Sequence, residues 1–201
     1  MLTYKRLATT AVLAVFLGPL FLTGCGYNAI QGKDEEVKAA WAEVENQYKR
    51  RYDLIPNLVR VVKAYAKHER ETLIGVTEAR AKVGQMNVGK DVINNPEQFR
   101  KFQQAQGDLT TALSRLMVVV ERYPDLKANE NFRDLQAQLE GTENRIAVAR
   151  KRYIDAVMAY NKLIRYFPTN LTAKYILHMD VRPTFQVENE KIKQAPEVKF
   201  E

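Results

Sequence analysis

The chain has 201 residues, 46% hydrophobic and 27% charged, with a net charge of +7, which suits one domain with a real core and leaves little for a second. With 9 Gly and 7 Pro and no low-complexity run, it is neither disordered nor turn-rich all-β, and a helical protein is expected. One Cys rules out an intramolecular disulfide framework, and His68 and His178 lie too far apart for a zinc finger, so composition names no reaction.

The chain opens as an export signal. Lys5 and Arg6 precede an uncharged run from Leu7 to Gly24, interrupted by Pro19. It closes on Leu22-Thr23-Gly24-Cys25, a pattern that resembles the bacterial lipobox, in which small residues before Cys admit a peptidase and the thiol takes the lipid. This use accounts for the single Cys. The plainer reading is an uncleaved anchor, since about 18 apolar residues just span a bilayer, but Gly18 and Pro19 weaken such a helix. Either way residues after 25 sit on the far side of a membrane, held by acyl chains on Cys25 in the first case. Gly26, rather than Asp, after the Cys resembles the pattern that sorts to an outer membrane facing the periplasm, where two membranes exist. Removing residues 1–24 takes away two basic residues and no acid, leaving 29 against 24, or +5. The clusters Lys49-Arg50-Arg51 and Arg150-Lys151-Arg152 are read as solvated faces or contacts for anionic head groups, and no nucleic-acid partner is expected of an exported protein.

After a linker over 25–32, a bundle is expected over 33–168. From Val37 the positions Trp41, Val44, Tyr48, Arg51, Ile55, Leu58, Val62, Tyr65, Glu69, Thr72, Val76, Ala79 and Val83 step by four and three, a helical seam. The phase runs through Pro56, which allows one kinked helix or two helices, with Asp53 capping the second and Pro56 in its first turn. The split is favoured, because an unbroken helix of about 75 Å exceeds what the next segment covers.

Gly84, Gly89 and Asn94-Asn95 mark a loop; Asn95 then caps a new helix with Pro96 in its first turn. Phe99, Phe102, Gln106, Leu109, Leu113, Leu116, Val120 and Tyr123 form its seam, ending at Pro124. A short turn follows, Asn129 is the next cap, and the last helix carries Phe132, Leu135, Leu139, Thr142, Ile146, Ala149, Tyr153, Ala156, Tyr160, Leu163 and Phe167. Tyr48, Tyr65, Tyr123, Tyr153 and Tyr160 all fall on seams and are read as core with a polar tip. The fold class is all-α: an antiparallel up-and-down bundle of three to four long helices. Residues 169–201 are expected as an extended tail, in which Ala195 to Phe200 reads either as a docking peptide or as a mobile terminus.

Several phrases resemble the LemA family: Tyr27-Asn28, Trp41, Arg50-Arg51-Tyr52-Asp53-Leu54-Ile55-Pro56-Asn57-Leu58-Val59, Tyr65-Ala66 with His68-Glu69, Ala79-Arg80, Glu121-Arg122-Tyr123-Pro124-Asp125-Leu126-Lys127-Ala128-Asn129, and Tyr160-Asn161 with Phe167-Pro168. The resemblance covers essentially all of the chain after the signal. It implies a bundle of about four antiparallel helices held by an N-terminal membrane segment on the extracytoplasmic side, and it implies no established biochemical activity. Where many members have a Gly-Phe pair after the last helix, this chain has Leu177-His178-Met179.

No catalytic constellation is assigned. Gly84 to Asp91 nearly spells a phosphate loop, but Asp91 replaces the hydroxyl residue and no strand precedes it. His68-Glu69-Arg70-Glu71-Thr72 begins like a zinc-protease helix, but Thr72 replaces the second ligand, and no metal or cofactor is expected. Folding the chain near 90 and 126 puts Glu69 and Thr72 in one layer with Gln106, Thr142 and Arg145. A buried Glu needs a partner, so Glu69 is expected to reach Arg145 or a nearby donor. Arg50, Arg51, Asp53 and Pro56 form a patch at the helix junction, where Asp53 caps and one Arg pairs with it. The function expected is that of a lipid-anchored, non-enzymatic adaptor or scaffold of the bacterial cell envelope with a protein partner. The alternatives are a ligand- or metal-binding bundle, even a hydrolase, using the polar layer, or a membrane-surface remodeller.

Overall fold

In the computed structural model, which describes the backbone of residues 2–86 and 92–185 and the side chains of residues 26–86 and 92–185, the first helix passes through Pro56 without a break. α1 spans Leu2–Tyr65. It is followed by α2 (Arg70–Gly84), a 3₁₀ turn (Val92–Asn94), α3 (Pro96–Val120), the short α4 (Pro124–Ala128), α5 (Glu130–Arg165), the single turn α6 (Thr169–Leu171) and a π-helical turn over Thr172–Ile176. The long helices α1, α2, α3 and α5 alternate in direction, so the fold is an all-α antiparallel bundle, with no strand among the described residues. α1 packs along α5, and α2 along α3.

The expected break at Asp53–Pro56 is corrected to Ala66–Glu69. Proline lacks the N–H that would bond the Tyr52 carbonyl four residues earlier, so an unbroken helix leaves that oxygen open. Arg80 on α2 fills the gap: its Nε donates to the Tyr52 carbonyl at 3.1 Å, and its guanidinium lies 3.7 Å from the Tyr52 ring centre. Asp53 is exposed in mid-helix and caps nothing. The chain turns where Ala66, fully buried, ends the α1 ladder and Glu69 N–H donates to the Ala66 carbonyl. The length objection also dissolves. About 54 Å of α1, residues 30–65, faces the 36-residue α5 along its whole extent.

Both asparagine caps stand where the spacing puts them. Asn95 Oδ1 accepts from the N–H groups of Glu97 and Gln98, and Asn129 Oδ1 accepts from that of Phe132. Each satisfies donors that the first helical turn leaves without an intrahelical partner.

The core forms two clusters, one above and one below residue 51. The upper one gathers around Trp41, whose indole lies 5.2–6.4 Å from the rings of Phe99, Phe102, Tyr153 and Phe185. The lower one joins Ile55, Leu58 and Val62 of α1 to Leu73 and Val76 of α2, Leu109 and Leu116 of α3, and Phe132 and Leu139 of α5. Two seam assignments need correction. Tyr65 is 43% exposed, because Ala66 takes the inward position at the turn; its hydroxyl accepts from Asn129 Nδ2 at 2.9 Å. Phe167 lies past the end of α5 and is 79% exposed. Tyr123 is half-buried, while Tyr48, Tyr153 and Tyr160 are core.

Residues 26–32, expected as a linker, are already helix, and Ile30 is fully buried in the upper cluster. The segment expected as an extended tail is helical to Ile176 and without regular secondary structure over 177–185, where it straps α5. Tyr153 donates to the Pro183 carbonyl at 3.0 Å and Tyr160 to that of Asp180 at 3.2 Å; Asn161 clasps the Arg182 backbone from both sides, at 2.9 and 3.0 Å. Arg182 reaches across to Asp34 of α1, a 2% exposed carboxylate also held by Lys38 at 2.7 Å. The phrase Ala195 to Phe200 lies outside the described residues, as does most of the Gly84 to Asp91 segment, of which Gly84 ends α2.

Candidate functional site

Between the two core clusters the seam of α1 places an arginine. Arg51 is 1% exposed. Its Nη1 donates to Glu143 Oε1 at 2.7 Å and to Thr110 Oγ1 at 3.0 Å, while Nη2 meets the carbonyl and side-chain oxygens of Gln106. The guanidinium also lies 5.0 Å from the Tyr48 ring centre. Burying a guanidinium costs several kcal/mol unless it is paired and hydrogen-bonded; this one is held from α3 and α5 at once, so it fixes the register of three helices. Arg51 Nε is buried without a partner. Burial pushes the Tyr48 phenol above its ordinary value, against the pull of Arg150 and Arg51.

The layer therefore forms around a residue that the sequence assigned to a helix junction. Gln106 and Thr142, predicted to share a layer, do come to this level: Gln106 contacts Arg51, and Thr142, fully buried, precedes Glu143 and donates to the Gln138 carbonyl at 2.7 Å. Glu69, Thr72 and Arg145 do not join it. Arg145 is exposed. Glu69 stands about 24 Å along the α3 axis from Gln106, at the level of Arg122 and Tyr123. There it pairs with Arg122 at 3.1 Å and accepts from the Tyr123 hydroxyl at 3.0 Å, a bond that raises the Tyr123 phenol above its ordinary value. The expectation of a cationic partner for Glu69 holds, with Arg122 in place of Arg145.

The shift has a physical cause. Val92 and Ile93 of the 3₁₀ turn are buried in the upper cluster, so the chain climbs past the end of α2 before α3 begins. α2 and α3 therefore pair about residue 95, and not near 90. Of the junction patch, Arg50 and Asp53 are exposed, Pro56 is half-buried in α1, and only Arg51 enters the layer. The available signal was Arg51's own seam position, inward between Tyr48 and Ile55. The lipobox side chains Leu22, Thr23, Gly24 and Cys25 lie outside the described ones.

Two open grooves flank the layer. One, of about 490 Å³, runs between α3 and α5 along Thr110, Leu113, Met117, Leu139 and Glu143. The other, of about 350 Å³, lies over Tyr48, Tyr52, Gly84, Phe102 and Gln106. A guanidinium that donates to a glutamate, an amide and a hydroxyl on two other helices fixes geometry. Among the described residues no three His, Cys, Asp or Glu side chains converge as a metal site, and no helix is long and apolar enough to cross a membrane.

A profile of the LemA family matches residues 40–200. Magnetosome protein MamQ 2 of Paramagnetospirillum magneticum is 27% identical over 163 residues, covering 73% of this chain and 60% of that protein. MamQ of Magnetospirillum gryphiswaldense is 25% identical with the same coverage. Protein LemA of Metamycoplasma hominis is 23% identical over 147 residues, covering 73% of this chain and 63% of that protein. The chain thus spans about 60% of the length of these curated relatives. The Arg51-Tyr52 and Pro56 positions, the Arg80 clamp, the Glu69–Tyr123 contact and the Asn161 strap all fall inside the matched region, and the chain belongs to the LemA family.

Proposed function

We propose that this protein is a non-enzymatic adaptor or scaffold of the bacterial cell envelope, tethered through acyl chains on Cys25 and acting by contact with another envelope protein. The observation that carries this reading is the absence of slack after Cys25. Gly26 packs against Thr169 and Ile30 is in the core, so the bundle begins within about one helical turn of the lipidation residue. A domain tied so closely to its anchor works at the membrane surface. The layer around Arg51 serves register, which leaves the long outer faces as the working surface. Relatives named for a cellular structure, the magnetosome, and not for a reaction, agree with this reading.

The test has two arms. Mass spectrometry of the mature N-terminus should find an acylated Cys25, and Cys25→Ala should abolish both cleavage and acylation. Cross-linking in cells should capture an envelope protein with the anchored form and lose it with Cys25→Ala. An unmodified Cys25, or no capture under conditions that trap a known envelope complex, overturns the reading.

A further inference from the structure

Phe167 would complete the α5 seam, yet it projects beyond the helix into solvent. Tyr166, Leu171, Tyr175 and Ile176 are exposed beside it, on the turns that follow α5. α1 meets them here: a Cβ on Gly26 would lie 3.0 Å from Thr169 Cγ2, and exposed Tyr27 is the next residue. Apolar and aromatic surface thus covers one pole of the bundle, the pole from which α1 runs back toward Cys25. Clustered exposure of this kind marks an interaction site, whereas single exposed apolar residues do not.

On the side of this pole formed by α5 and the turns after it the charge is one-sided, and the exposed acids that α1 brings to the same end, Glu35 and Glu36, are paired with Lys38 and Lys33. From Ala156 to Met179 there is no Asp or Glu, while Lys162, Arg165 and Lys174 are all exposed. Lys162 Nζ lies 5.4 Å from the Tyr166 ring centre and Lys174 Nζ 5.5 Å from that of Tyr175, so cation and ring alternate across the surface. Tyrosine rings flanked by snorkelling lysines suit the head-group region of a bilayer, where one end of each side chain is wet and the other apolar.

We propose that this pole is a lipid-docking surface: Phe167, Tyr166, Tyr175 and Tyr27 insert at the head-group level, and Lys162, Arg165 and Lys174 take anionic phospholipid phosphates. The inference rests on the anchored reading above, which brings this pole and no other to the bilayer.

The test uses the lipidated full chain in vesicles of phosphatidylcholine and phosphatidylglycerol carrying brominated acyl chains. Tryptophan is placed by Phe167→Trp, with Tyr175→Trp as a second probe. Val118→Trp, exposed at the C-terminal end of α3 and so at the opposite pole, is the control, and the wild-type chain with Trp41 is the baseline. Flotation with the vesicles tests the anchor separately. The expected result is flotation of every variant and several-fold stronger bromine quenching at 167 and 175 than at 118. Flotation with equal quenching at all three positions overturns the docking surface and leaves the anchor standing. Shielding of position 167 from aqueous iodide without bromine quenching assigns the pole to a second copy of the chain, and overturns the lipid proposal. Failure of the wild-type chain to float removes the anchored reading and this inference with it.

Discussion

Pro56 withholds the one N–H that the Tyr52 carbonyl needs, and Arg80 restores the bond from another helix. Such a bond from a charged donor contributes about 1.5–3 kcal/mol. Arg80→Ala should therefore lower stability by about 2 kcal/mol in chemical denaturation. The same substitution should cost much less in a Pro56→Ala background, where the alanine supplies the missing N–H; equal losses in both backgrounds would show that the clamp acts only through the ring contact. Glu45 offers a pH test. Burial raises its carboxyl above the ordinary value, against a 2.9 Å hydrogen bond donated by Trp41 Nε1. The folded state then binds the proton more tightly than the unfolded one. Its contribution is full below the ordinary carboxylate range and is lost as pH rises through the folded value. Glu45→Gln keeps an acceptor for Trp41 and should raise stability at neutral pH, with the gain vanishing in acid; a gain independent of pH would contradict this. His178 has φ of 49°, in the left-handed region where a Cβ costs about 1–2 kcal/mol. This is the segment in which many LemA-family members carry a Gly-Phe pair, and His178→Gly should raise the melting temperature slightly.

Among the elements, helix caps and seams were legible in the sequence because each depends on a few neighbours. Asn95 with Pro96, and Asn129, declare themselves locally, and the three-and-four spacing names Trp41, Phe102 and Tyr153 as core. What escaped depends on partners far away in the chain. Pro56 reads as a break until Arg80, on the next helix, is seen to compensate it. The α2–α3 register reads as a hairpin near 90 until Val92 and Ile93 are known to be buried, and Arg51 reads as part of a helix-junction patch until Glu143 and Gln106 arrive. The strap over 177–185 was invisible for the same reason, since its hold is Asn161, Tyr160 and Asp34. Arg182→Ala leaves Asp34 with Lys38 alone and should lower stability by about 2–4 kcal/mol. Limited proteolysis should then cut within 177–185 faster than in the wild type, and an unchanged cleavage rate would show that the strap does not depend on Arg182.

At the scale of the molecule, two apolar clusters meet at one buried cation. Arg51→Ala would leave Glu143, Gln106 and Thr110 without their shared donor and should cost about 3–5 kcal/mol; a loss below about 1 kcal/mol would mean that the waist contributes no stability. On the proposed anchored reading, the same architecture sets how the protein would stand on a membrane. With Cys25 about one turn from the core and an aromatic, basic pole beside it, the bundle would be held by its end. α5 and the matching part of α1 then rise about 54 Å from the head groups. Neutron reflectometry of the lipidated chain on a supported bilayer measures this directly. The account predicts a protein layer of about 54 Å in contact with the head groups. A layer of about 20–25 Å, the width of two packed helices lying flat, or a water gap beneath the protein, would contradict it.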